Sequence, residues 1–295
     1  MAIWLTGCAG FLGTRLAAAL TKKGFDVVGL SRRPSTTATQ AVSIDLASPE
    51  ARPCLTELLA RAGPPEAVIH AASRQPGPHG LLPYVSSNIV ATAAVLDVLH
   101  DLPPKQIIYT STLMVYEQPA PLPVPEEART YGGSPYAITK FAGEQLMRAF
   151  QSRSQVIVFR LPSLYGAGQT DSFVDGLRRL AVENRPIELF RRGENIEDAL
   201  HVDDVVVAIG ACVADPPASR FLCLNLGCGR PVTTREYAEA IVQAFASHSP
   251  LLPVDDCASQ RFDIYADIAA ARRELRFTPT PLVAALERYA EELRA

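Results

Sequence analysis

The sequence lacks the features that mark proteins of membranes, of the secretory pathway or of nucleic acid binding. Its 28 basic and 31 acidic residues nearly balance, so its composition predicts no basic surface for nucleic acid or anionic lipid. No apolar run reaches the roughly 18 residues that a membrane-spanning helix needs. Residues 1–13 lack the basic segment that opens a secretory signal peptide. We therefore expect a cytoplasmic protein with neither a membrane nor a nucleic acid as its partner.

Cysteine is scarce and scattered, and no two cysteines form a C-x-x-C pair. Zinc sites commonly use such pairs, and disulfide frameworks belong mainly to small secreted domains. The pattern therefore predicts reduced thiols rather than disulfides or a zinc site. The six cysteines are Cys8, Cys54, Cys212, Cys223, Cys228 and Cys257.

Short apolar runs alternate with amphipathic stretches through the first half of the sequence. Hydrophobic residues make up 48% and charged residues 20% of the 295 residues, which is typical of a globular protein with one large domain or two smaller ones. The apolar runs predict buried strands at 2–5, 26–30, 67–72, 106–111 and 155–161. The amphipathic stretches predict helices at 11–23, 51–62, 85–100 and 136–152. This alternation indicates an α/β fold with a doubly wound parallel sheet.

The second half of the sequence is less regular and mainly helical. Its pattern predicts one further strand at 221–227 and helices at 176–184, 202–213, 233–245 and 282–293. The proline-rich residues 119–128 cannot form a regular helix or an inner strand, so we expect a surface loop there.

The motif TGCAGFLG lies at the first junction between a strand and a helix. Gly7, Gly10 and Gly13 would permit a tight turn, a close approach of the backbone to a phosphate, and tight packing of the helix on the strand. The helix N-terminus that follows is a favourable place for a pyrophosphate. A glycine-rich turn without a ligand is the alternative, but the position of the motif favours a dinucleotide-binding site.

The end of the predicted second strand indicates which dinucleotide is bound. An acidic residue there would bind the ribose 2′-hydroxyl of NAD, whereas arginine accommodates the 2′-phosphate of NADP. This sequence has Ser31, Arg32 and Arg33 and no acid. Two solvated loop arginines are the alternative, but guanidinium groups bind phosphate by charge-assisted hydrogen bonds. We therefore expect NADP, with NAD less favoured.

An ordered series of motifs resembles the extended short-chain dehydrogenase/reductase family, in its NAD(P)-dependent epimerase/dehydratase branch. The resemblance extends over nearly the whole chain, and the order of the motifs is more specific than any one of them. The motifs are TGCAGFLG (6–13), SIDLAS (43–48), VIHAAS (68–73), SSNIVATAAVLDVL (86–99), YTSTLMVYE (109–117), SPYAITK (134–140), RLPSLYGAGQ (160–169), HVDDVV (201–206) and LNLGCGRPVTTREYA (224–238).

The resemblance implies two domains. Residues 1–165, with returning segments from 200–227, would form a Rossmann-like NAD(P)-binding domain. Residues 166–199 and 228–295 would form a smaller, mainly helical substrate-binding domain. A sugar-like small-molecule substrate and a homodimer are also implied.

The resemblance further assigns the site residues. Thr112, Tyr136 and Lys140 match the catalytic residues of the family, and Arg74, Thr112 and Ser163 would contact the substrate. Asn88 would fasten the segment that follows the predicted strand at 67–72. The residues expected at the cofactor are Gly7, Gly10, Phe11, Leu12, Gly13, Ser31, Arg32, Arg33, Asp45, Leu46, Ala71, Ala72, Ser73, Asn88, Thr110, Tyr136, Lys140 and Pro162.

The spacing of Tyr136 and Lys140 places both side chains on one face of a helix. A phenol has a pKa of about 10 in water, so Tyr136 alone is a poor base near neutral pH. A nearby ammonium group and an oxidised nicotinamide would lower that pKa, and Thr112 would hydrogen-bond the substrate oxygen. We interpret the three residues as an acid–base site for hydride transfer rather than as a solvated helix face.

Several departures from the family pattern bear on the substrate. Leu113 and Met114 stand where sugar dehydratases carry an Asp-Glu pair, so we expect no dehydration. Ser163 replaces an asparagine that is usual in nucleotide-sugar enzymes. Glu197 replaces an arginine that would reach a substrate diphosphate. Nucleotide sugars, free sugars and sugar lactones therefore all stay open as substrates.

Two histidines were candidates for other chemistry. His70 ends an apolar strand, and we interpret it as a packed or cofactor-flanking residue. His201 lies beside Asp203 and Asp204, which suggests a metal ion, but acids at such a position more commonly cap the following helix. We therefore predict no metal site.

We expect an enzyme, and three functions fit the motifs. The main hypothesis is an NAD(P)-dependent oxidoreductase, a ketoreductase or dehydrogenase, that acts on a hydroxyl or carbonyl group of a sugar or nucleotide sugar. The alternative is an NAD(P)-dependent nucleotide-sugar epimerase that retains its cofactor, because the same three residues serve both reactions. A non-catalytic dinucleotide sensor is a lesser alternative, since such proteins commonly lose the tyrosine or the lysine.

Overall fold

The computed structural model of the protein describes residues 1–255 and 262–294. The strands are β1 (Ala2–Thr6), β2 (Asp26–Ser31), β3 (Gln40–Ser43), β4 (Ala67–His70), β5 (Gln106–Thr112), β6 (Gln155–Leu161), β7 (Ser163–Tyr165), β8 (Ile187–Phe190), β9 (Ala199–His201), β10 (Phe221–Asn225) and β11 (Leu251–Val254). The helices are α1 (Phe11–Lys22), α2 (Ala51–Ala62), α3 (Leu81–Tyr84), α4 (Ala91–Val98), α5 (Pro135–Ala149), α6 (Phe173–Val182), α7 (Val202–Ala214), α8 (Thr234–Ala244), α9 (Ala269–Leu275) and α10 (Leu282–Arg294). A π-helical turn, Val85–Val90, joins α3 to α4. The predicted strands and helices are confirmed to within a few residues, whereas β3, β7, β8, β9, β11, α3 and α9 were not anticipated.

Seven strands form one sheet in the order β3, β2, β1, β4, β5, β6 and β10. Strand β1 is parallel to both of its neighbours, with Thr6 opposite Leu30 of β2 and His70 of β4. The β2–β3 and β4–β5 pairs are also parallel. The chain order reverses between β1 and β4, and doubly wound sheets bind ligands at the carboxyl ends of the strands at such a point. The predicted Rossmann-like sheet is confirmed.

Two inner strands of this sheet, β4 and β5, are buried along their whole length. All seven residues of β5 and all four residues of β4 are buried, which explains why their sequences do not alternate between apolar and polar residues. The main hydrophobic cluster includes Trp4, Ile107, Tyr109 and Val158, together with Leu55 of α2.

The chain divides into two compact units. Unit 1 consists of Met1–Glu117, Thr130–Arg160 and Val206–Leu224, and it holds the seven-stranded sheet. Unit 2 consists of Gln118–Arg129, Leu161–Val205 and Asn225–Ala295.

Unit 2 combines short strand pairs with helices. Strand β7 pairs with β9 and strand β8 pairs with β11, both in parallel. Its hydrophobic cluster includes two aromatic contacts, Phe173–Tyr237 with ring centroids 5.0 Å apart and Tyr165–Tyr289 with centroids 5.8 Å apart. The proline-rich segment belongs to this unit, where the Val124 N–H donates to the Tyr265 carbonyl at 2.8 Å.

The continuous helix Leu81–Val98 is long and apolar enough to cross a membrane, with a mean hydropathy of 1.4. The core helix of a globular protein meets the same criterion. Its residues Asn88, Thr92 and Val95 are buried within unit 1, and Val95 belongs to the main hydrophobic cluster. We therefore assign this helix to the core of unit 1.

The cysteines that the structure describes are free thiols, namely Cys8, Cys54, Cys212, Cys223 and Cys228. Cys257 lies outside the described residues.

Two glycines in the interiors of helices predict opposite effects of alanine. A Cβ on Gly143 of α5 would lie 2.1 Å from the hydroxyl oxygen of Tyr109, whereas a Cβ on Gly176 of α6 would meet nothing within 4 Å. We expect Gly143→Ala to lower the free energy of unfolding by about 1–3 kcal/mol through overpacking. The matched control Gly176→Ala should raise it by about 0.5–1 kcal/mol through helix propensity. Urea denaturation measures both changes, and equal effects would contradict this account of the α5–β5 packing.

Candidate active site

Glycines shape the turn between β1 and α1. Gly7 has a φ of +69°, and a Cβ there would lie 2.8 Å from the backbone nitrogen of Ala72. A Cβ on Gly13 would lie 2.1 Å from the Gly7 carbonyl oxygen, so α1 packs directly on the turn. Gly10 adopts an extended conformation just before α1. The tight turn and the close helix packing predicted from the motif are confirmed.

The N-terminus of α1 suits the pyrophosphate of a dinucleotide. The first N–H groups of a helix have no acceptor within the helix, and no side chain caps them here. The first turn of α1 carries no acidic residue that would repel an anion. Because this turn follows β1 at the point where the strand order reverses, the residues present fit the phosphates of NAD(P).

Buried hydrogen bonds hold the backbone beside the glycine turn. The hydroxyl oxygen of Thr6 accepts hydrogen bonds from the N–H groups of Ala71 and Ala72, each at 3.1 Å. Its own proton is therefore directed to Nδ1 of His70, 2.9 Å away. The backbone of the HAAS motif thus takes its position from β1.

His70 continues this series of hydrogen bonds as a neutral imidazole. Since Nδ1 accepts from Thr6, Nε2 carries the proton and donates to the Thr92 hydroxyl at 3.0 Å, which in turn donates to the Asn88 carbonyl at 2.7 Å. Complete burial, assisted by the positive charge of Lys140, lowers the pKa of His70 to about 3. His70 is therefore a packed side chain, as the sequence indicated.

Asn88 ties the segment after β4 to helix α5. Its side-chain oxygen accepts a hydrogen bond from the Arg74 N–H at 2.7 Å, and its side-chain nitrogen donates to the Thr139 hydroxyl at 3.0 Å. Thr139 lies on α5 between Tyr136 and Lys140. These contacts agree with the fastening role that the family resemblance implies for Asn88.

The loop after β2 presents two arginines at the surface. Arg32 and Arg33 are both exposed, and residues 31–44 contain no acid. The Ser43 hydroxyl donates to the Arg32 carbonyl at 3.2 Å, and the Ser31 hydroxyl donates to the Arg33 carbonyl. These bonds hold the loop backbone while both guanidinium groups lie exposed.

Thr112, Tyr136 and Lys140 lie together in unit 1. Thr112 is the last residue of β5, and its hydroxyl is hydrogen-bonded to Tyr136. Helix α5 begins with a side-chain cap, because the Ser134 hydroxyl accepts a first-turn N–H at 3.2 Å, and Pro135 occupies the first helical position. All three side chains are buried, at 8%, 8% and 2% exposure respectively. The structure thus brings the three predicted residues together.

Thr112 is bonded to the backbone as well as to Tyr136. Its hydroxyl oxygen accepts from the Met114 N–H at 3.2 Å. Burial raises the pKa of Tyr136 to about 12, although the bond from Thr112 acts in the opposite direction. To act as a base near neutral pH, Tyr136 therefore needs a further positive charge nearby.

Lys140 has the opposite response to burial. Burial lowers its pKa to about 7, while the negative charge of Glu144 raises it. Its ammonium nitrogen lies 4.2 Å from the ring centroid of Tyr109, whose hydroxyl donates to the Lys140 carbonyl at 3.3 Å. The charge of Lys140 is therefore sensitive to its neighbours near neutral pH.

Neither of the residues that follow Thr112 can transfer a proton. Leu113 is buried, and Met114 is 47% exposed. The acid–base pair that a dehydratase would need after Thr112 is therefore replaced by two apolar side chains.

Three residues of this site were missed by the sequence analysis. They are Ser111, Glu144 and Arg160, all buried, and both Ser111 and Arg160 are hydrogen-bonded to Glu144. Glu144 continues the spacing of four that relates Tyr136 to Lys140, and that signal was available. Arg160 opens the RLPSLYGAGQ motif, but its partner could not be read from the sequence, because Glu144 lies in a different element of the fold.

The remaining predicted residues lie in both units. Thr110 is buried in β5, Asp45 is exposed after β3, and Leu46 is buried in the main cluster of unit 1. Pro162 and Ser163 belong to unit 2, where Ser163 opens β7.

Glu197 also lies in unit 2, and two arginines, Arg191 and Arg192, precede it closely in the sequence. Arg191 lies 3.7 Å from a carboxylate oxygen of Asp263, and Arg192 lies 3.2 Å from a carboxylate oxygen of Asp255. Both arginines close to the Glu197 position are therefore already engaged in ion pairs.

His201, Asp203 and Glu292 form a polar group in unit 2, with one ligand-type atom of each within 4.8 Å of the others. Nδ1 of His201 accepts the Asp203 N–H at 3.3 Å, so Nε2 carries the proton and faces Glu292 at 3.4 Å. Glu292 also accepts the Ala167 N–H at 3.0 Å. The absence of a metal ion at this group stays a prediction. Asp203 and Asp204 lie inside the first turn of α7, so the prediction that they cap it is wrong.

Comparison with known proteins places this geometry in a family. The sequence pattern of the NAD dependent epimerase/dehydratase family matches residues 3–221, which include the glycine turn, the HAAS segment and the Thr112, Tyr136 and Lys140 group. The chain belongs to this family. The predicted resemblance is confirmed, and the protein is an enzyme of the extended short-chain dehydrogenase/reductase type.

Several relatives are similar over most of their length. The UDP-glucuronate 4-epimerase of Thermodesulfobacterium geofontis is 26% identical over 300 residues, covering 93% of this chain and 90% of the relative. The UDP-glucose 4-epimerase of Mycolicibacterium smegmatis is 28% identical, with 81% of each chain covered. The structure of MoeE5 in complex with UDP-glucose and NAD is 26% identical and superposes with a TM-score of 0.84 over 100% of this chain and 99% of that one.

The buried neutral state of His70 predicts that stability depends on pH. Between pH 6.5 and about 3 the unfolded chain binds a proton at this residue that the folded protein does not, so the free energy of unfolding falls as the pH falls. From about pH 7 to about pH 5 this loss amounts to ~2 kcal/mol. His70→Gln removes this titrating group and should not show the loss. The difference in the free energy of unfolding between wild type and variant, measured by urea denaturation, should therefore narrow by that amount from about pH 7 to about pH 5.

The control for this measurement is His248→Gln, which removes an exposed imidazole. The buried neutral state would be contradicted if the difference in the free energy of unfolding between wild type and His70→Gln stayed constant with pH, or changed with pH as it does for His248→Gln.

Proposed function

We propose that the protein is an NAD(P)-dependent epimerase that inverts the configuration at C4 of a UDP-linked sugar. Two of its relatives, at 26% and 28% identity, are UDP-sugar 4-epimerases. MoeE5, at 26% identity, is known in complex with UDP-glucose and NAD and in complex with UDP-glucuronic acid and NAD. These relatives favour the epimerase over the net oxidoreductase that was the main hypothesis from the sequence.

The observation that carries the proposal is the hydrogen bond between Thr112 and Tyr136, with Lys140 one turn further along the same helix. The two residues after Thr112 in the chain are the apolar Leu113 and Met114. A phenol and a hydroxyl donor suffice to remove and return the proton of a sugar hydroxyl while hydride leaves and rejoins the carbon that bears it. The apolar pair that follows Thr112 supplies no second base for an elimination. The arrangement therefore supports oxidation and re-reduction at one carbon.

The roles of the side chains follow from this reaction. When bound, the dinucleotide would accept a hydride from the sugar carbon and return it, and the positive charge of its oxidised nicotinamide would lower the pKa of Tyr136. Tyr136 takes the proton of the sugar hydroxyl as the C–H bond breaks, which leaves a ketone, and returns that proton when the C–H bond forms on the opposite face. Thr112 donates a hydrogen bond to the sugar oxygen while negative charge develops there. The sugar must turn over between the two steps.

The cofactor residues would act through position and charge. The turn of Gly7, Gly10 and Gly13 would hold the pyrophosphate, and Lys140 would bind ribose hydroxyls. Arg32 and Arg33 are exposed in a loop without an acid, so they are available to a 2′-phosphate. On this ground we propose that NADP is bound at least as tightly as NAD, although MoeE5 is known with NAD.

The same arginines favour a second candidate, a ketoreductase that releases its cofactor, because an exchanging NADPH suits net reduction. A non-catalytic dinucleotide sensor is the third candidate. The cytoplasmic location and the homodimer stay predictions.

An epimerase predicts interconversion of two sugars without net use of cofactor. We expect UDP-glucose or UDP-glucuronic acid to give the corresponding 4-epimer until equilibrium, with no stoichiometric change in NAD(P)H absorbance. Tyr136→Phe should lower the rate by about 10²–10⁴-fold and keep dinucleotide binding, because it removes only the proton-transfer group. Chromatography of the nucleotide sugars and titration of the cofactor measure these results.

Tyr131→Phe is the matched control, since this tyrosine is 68% exposed. Stoichiometric oxidation of NADPH with a reduced product would establish the ketoreductase instead. A Tyr136→Phe protein with full biological activity would establish the sensor.

The exposed arginines predict the dinucleotide preference. We expect Arg32→Ala/Arg33→Ala to weaken NADP binding by about 10–100-fold, because charge-assisted hydrogen bonds to the 2′-phosphate are lost. NAD, which lacks that phosphate, should keep its affinity within about 3-fold. Calorimetric titration measures both, with the exposed Arg61→Ala as control. An equal loss for the two dinucleotides would refute the assignment of these arginines.

A further inference from the structure

Helix α5 carries a third buried polar residue on the face of Tyr136 and Lys140. Glu144 lies four residues after Lys140 and is 3% exposed. Residues at this spacing lie one above the other on a helix, so the three side chains form one row. A carboxylate buried to this extent needs hydrogen-bonding partners.

The partners of Glu144 come from two strands of the sheet. One carboxylate oxygen accepts from the Ser111 hydroxyl at 2.5 Å and from Nε of Arg160 at 3.1 Å. The other accepts from Nη2 of Arg160 at 2.8 Å, so the arginine binds in a bidentate manner. Ser111 directly precedes Thr112 at the end of β5, and Arg160 lies near the end of β6.

Arg160 also contacts a residue that follows Thr112 in the chain, Tyr116. Its Nη1 donates to the Tyr116 hydroxyl at 2.9 Å, and its guanidinium carbon lies 4.8 Å from the centre of that ring. Tyr116 follows the short helical turn Leu113–Val115. The chain is therefore held on both sides of Thr112 by bonds that lead to Glu144.

We propose that Glu144 is a positioning residue of the reaction: through Ser111 and Arg160 it fixes Thr112 against Tyr136, and its charge favours the ammonium form of Lys140. The kinetic part of this inference rests on the proposed epimerase function. The part that concerns Lys140 does not.

The electrostatic part depends on what surrounds Lys140. Burial lowers the pKa of Lys140 to about 7, and Glu144 opposes that effect. His70 is neutral, and burial raises the pKa of both Tyr109 and Tyr136, so these neighbours are uncharged near neutral pH. The titratable or charged side chains around Lys140 are Tyr136 and Glu144 from α5, Tyr109 from β5, His70 from β4, Tyr84 from α3 beside Tyr136, and Arg160 from β6 beyond Glu144.

The effect of the Glu144–Arg160 ion pair on catalysis can be separated from its effect on the stability of the fold. Replacing a buried ion pair with neutral side chains of similar size is often neutral or stabilising, whereas removing one partner is strongly destabilising. The double variant E144Q/R160M therefore removes the charge of Glu144 without leaving Arg160 buried and unpaired. It separates the effect of charge from the effect of unfolding.

The test of the charge effect needs no substrate. The chain has four lysines, so carbon-13 labelling of lysine gives a simple spectrum in which Lys140→Arg identifies the Lys140 signal. In the full-length wild type we expect the titration midpoint of Lys140 near neutral pH. In E144Q/R160M it should fall by about one pH unit, because the charge that raises the pKa of Lys140 is that of Glu144, whereas Arg160 lies beyond this carboxylate. An unchanged midpoint would overturn the proposal.

The test of positioning compares two buried serines. Ser111→Ala removes the bond to Glu144, whereas the control Ser154→Ala removes a buried bond to the Pro104 carbonyl, away from the site. We expect Ser111→Ala to lower kcat for the sugar by about 10-fold with KM nearly unchanged, because Thr112 is displaced in the transition state. Equal kcat values in the two variants would overturn the positioning role. If wild type converts no UDP-sugar, the proposed function fails while the titration of Lys140 still decides the role of Glu144.

Discussion

The packing of helix α5 against strand β5 is the constraint on which the candidate active site depends. Gly143 has no side chain, and the hydroxyl of Tyr109 lies where a Cβ would be. The helix therefore lies close enough to β5 for Lys140 to pack on the Tyr109 ring and for Thr112 to bond Tyr136. The same close packing excludes water, which raises the pKa of the phenol and lowers that of the ammonium group, because burial disfavours the charged form of each. The close packing of α5 on β5 thus determines both the positions of Thr112, Tyr136 and Lys140 and the pKa values of Tyr136 and Lys140.

The cofactor side of the site depends on backbone rather than on charge. The turn of Gly7 approaches the backbone of Ala72 so closely that no side chain fits between them. The HAAS backbone is held there by Thr6, whose hydroxyl can accept two N–H groups because it donates to a neutral His70. A buried polar series of this kind is stable when each member has its partner, since an unsatisfied buried group is costly. The glycine turn is therefore supported by side chains that lie beside it rather than in it.

The choice between reductase and epimerase is not made by these contacts. Tyr136 and Thr112 would perform the same proton transfer in both reactions, and the difference lies in whether the sugar turns over and whether the cofactor leaves. Relatives of known activity point to epimerisation of UDP-sugars. The exposed arginines after β2 are the feature of this chain that bears on the cofactor independently of those relatives.

The amino-acid sequence by itself determined the alternation of strands and helices, the glycine turn and the shared helix face of Tyr136 and Lys140, because these are local patterns in which spacing along the chain reflects spacing in space. Thr112, which is distant from that helix in the chain, was indicated only by the family resemblance. The sequence failed for Asp203 and Asp204, which lie inside helix α7 rather than at its cap. Tertiary structure alone decided that Glu144 meets Ser111 and Arg160, which are 33 and 16 residues away. It also decided the protonation of His70 and Lys140, since both depend on burial. Burial is the sum of contacts from many distant segments, and no local pattern of residues records that sum.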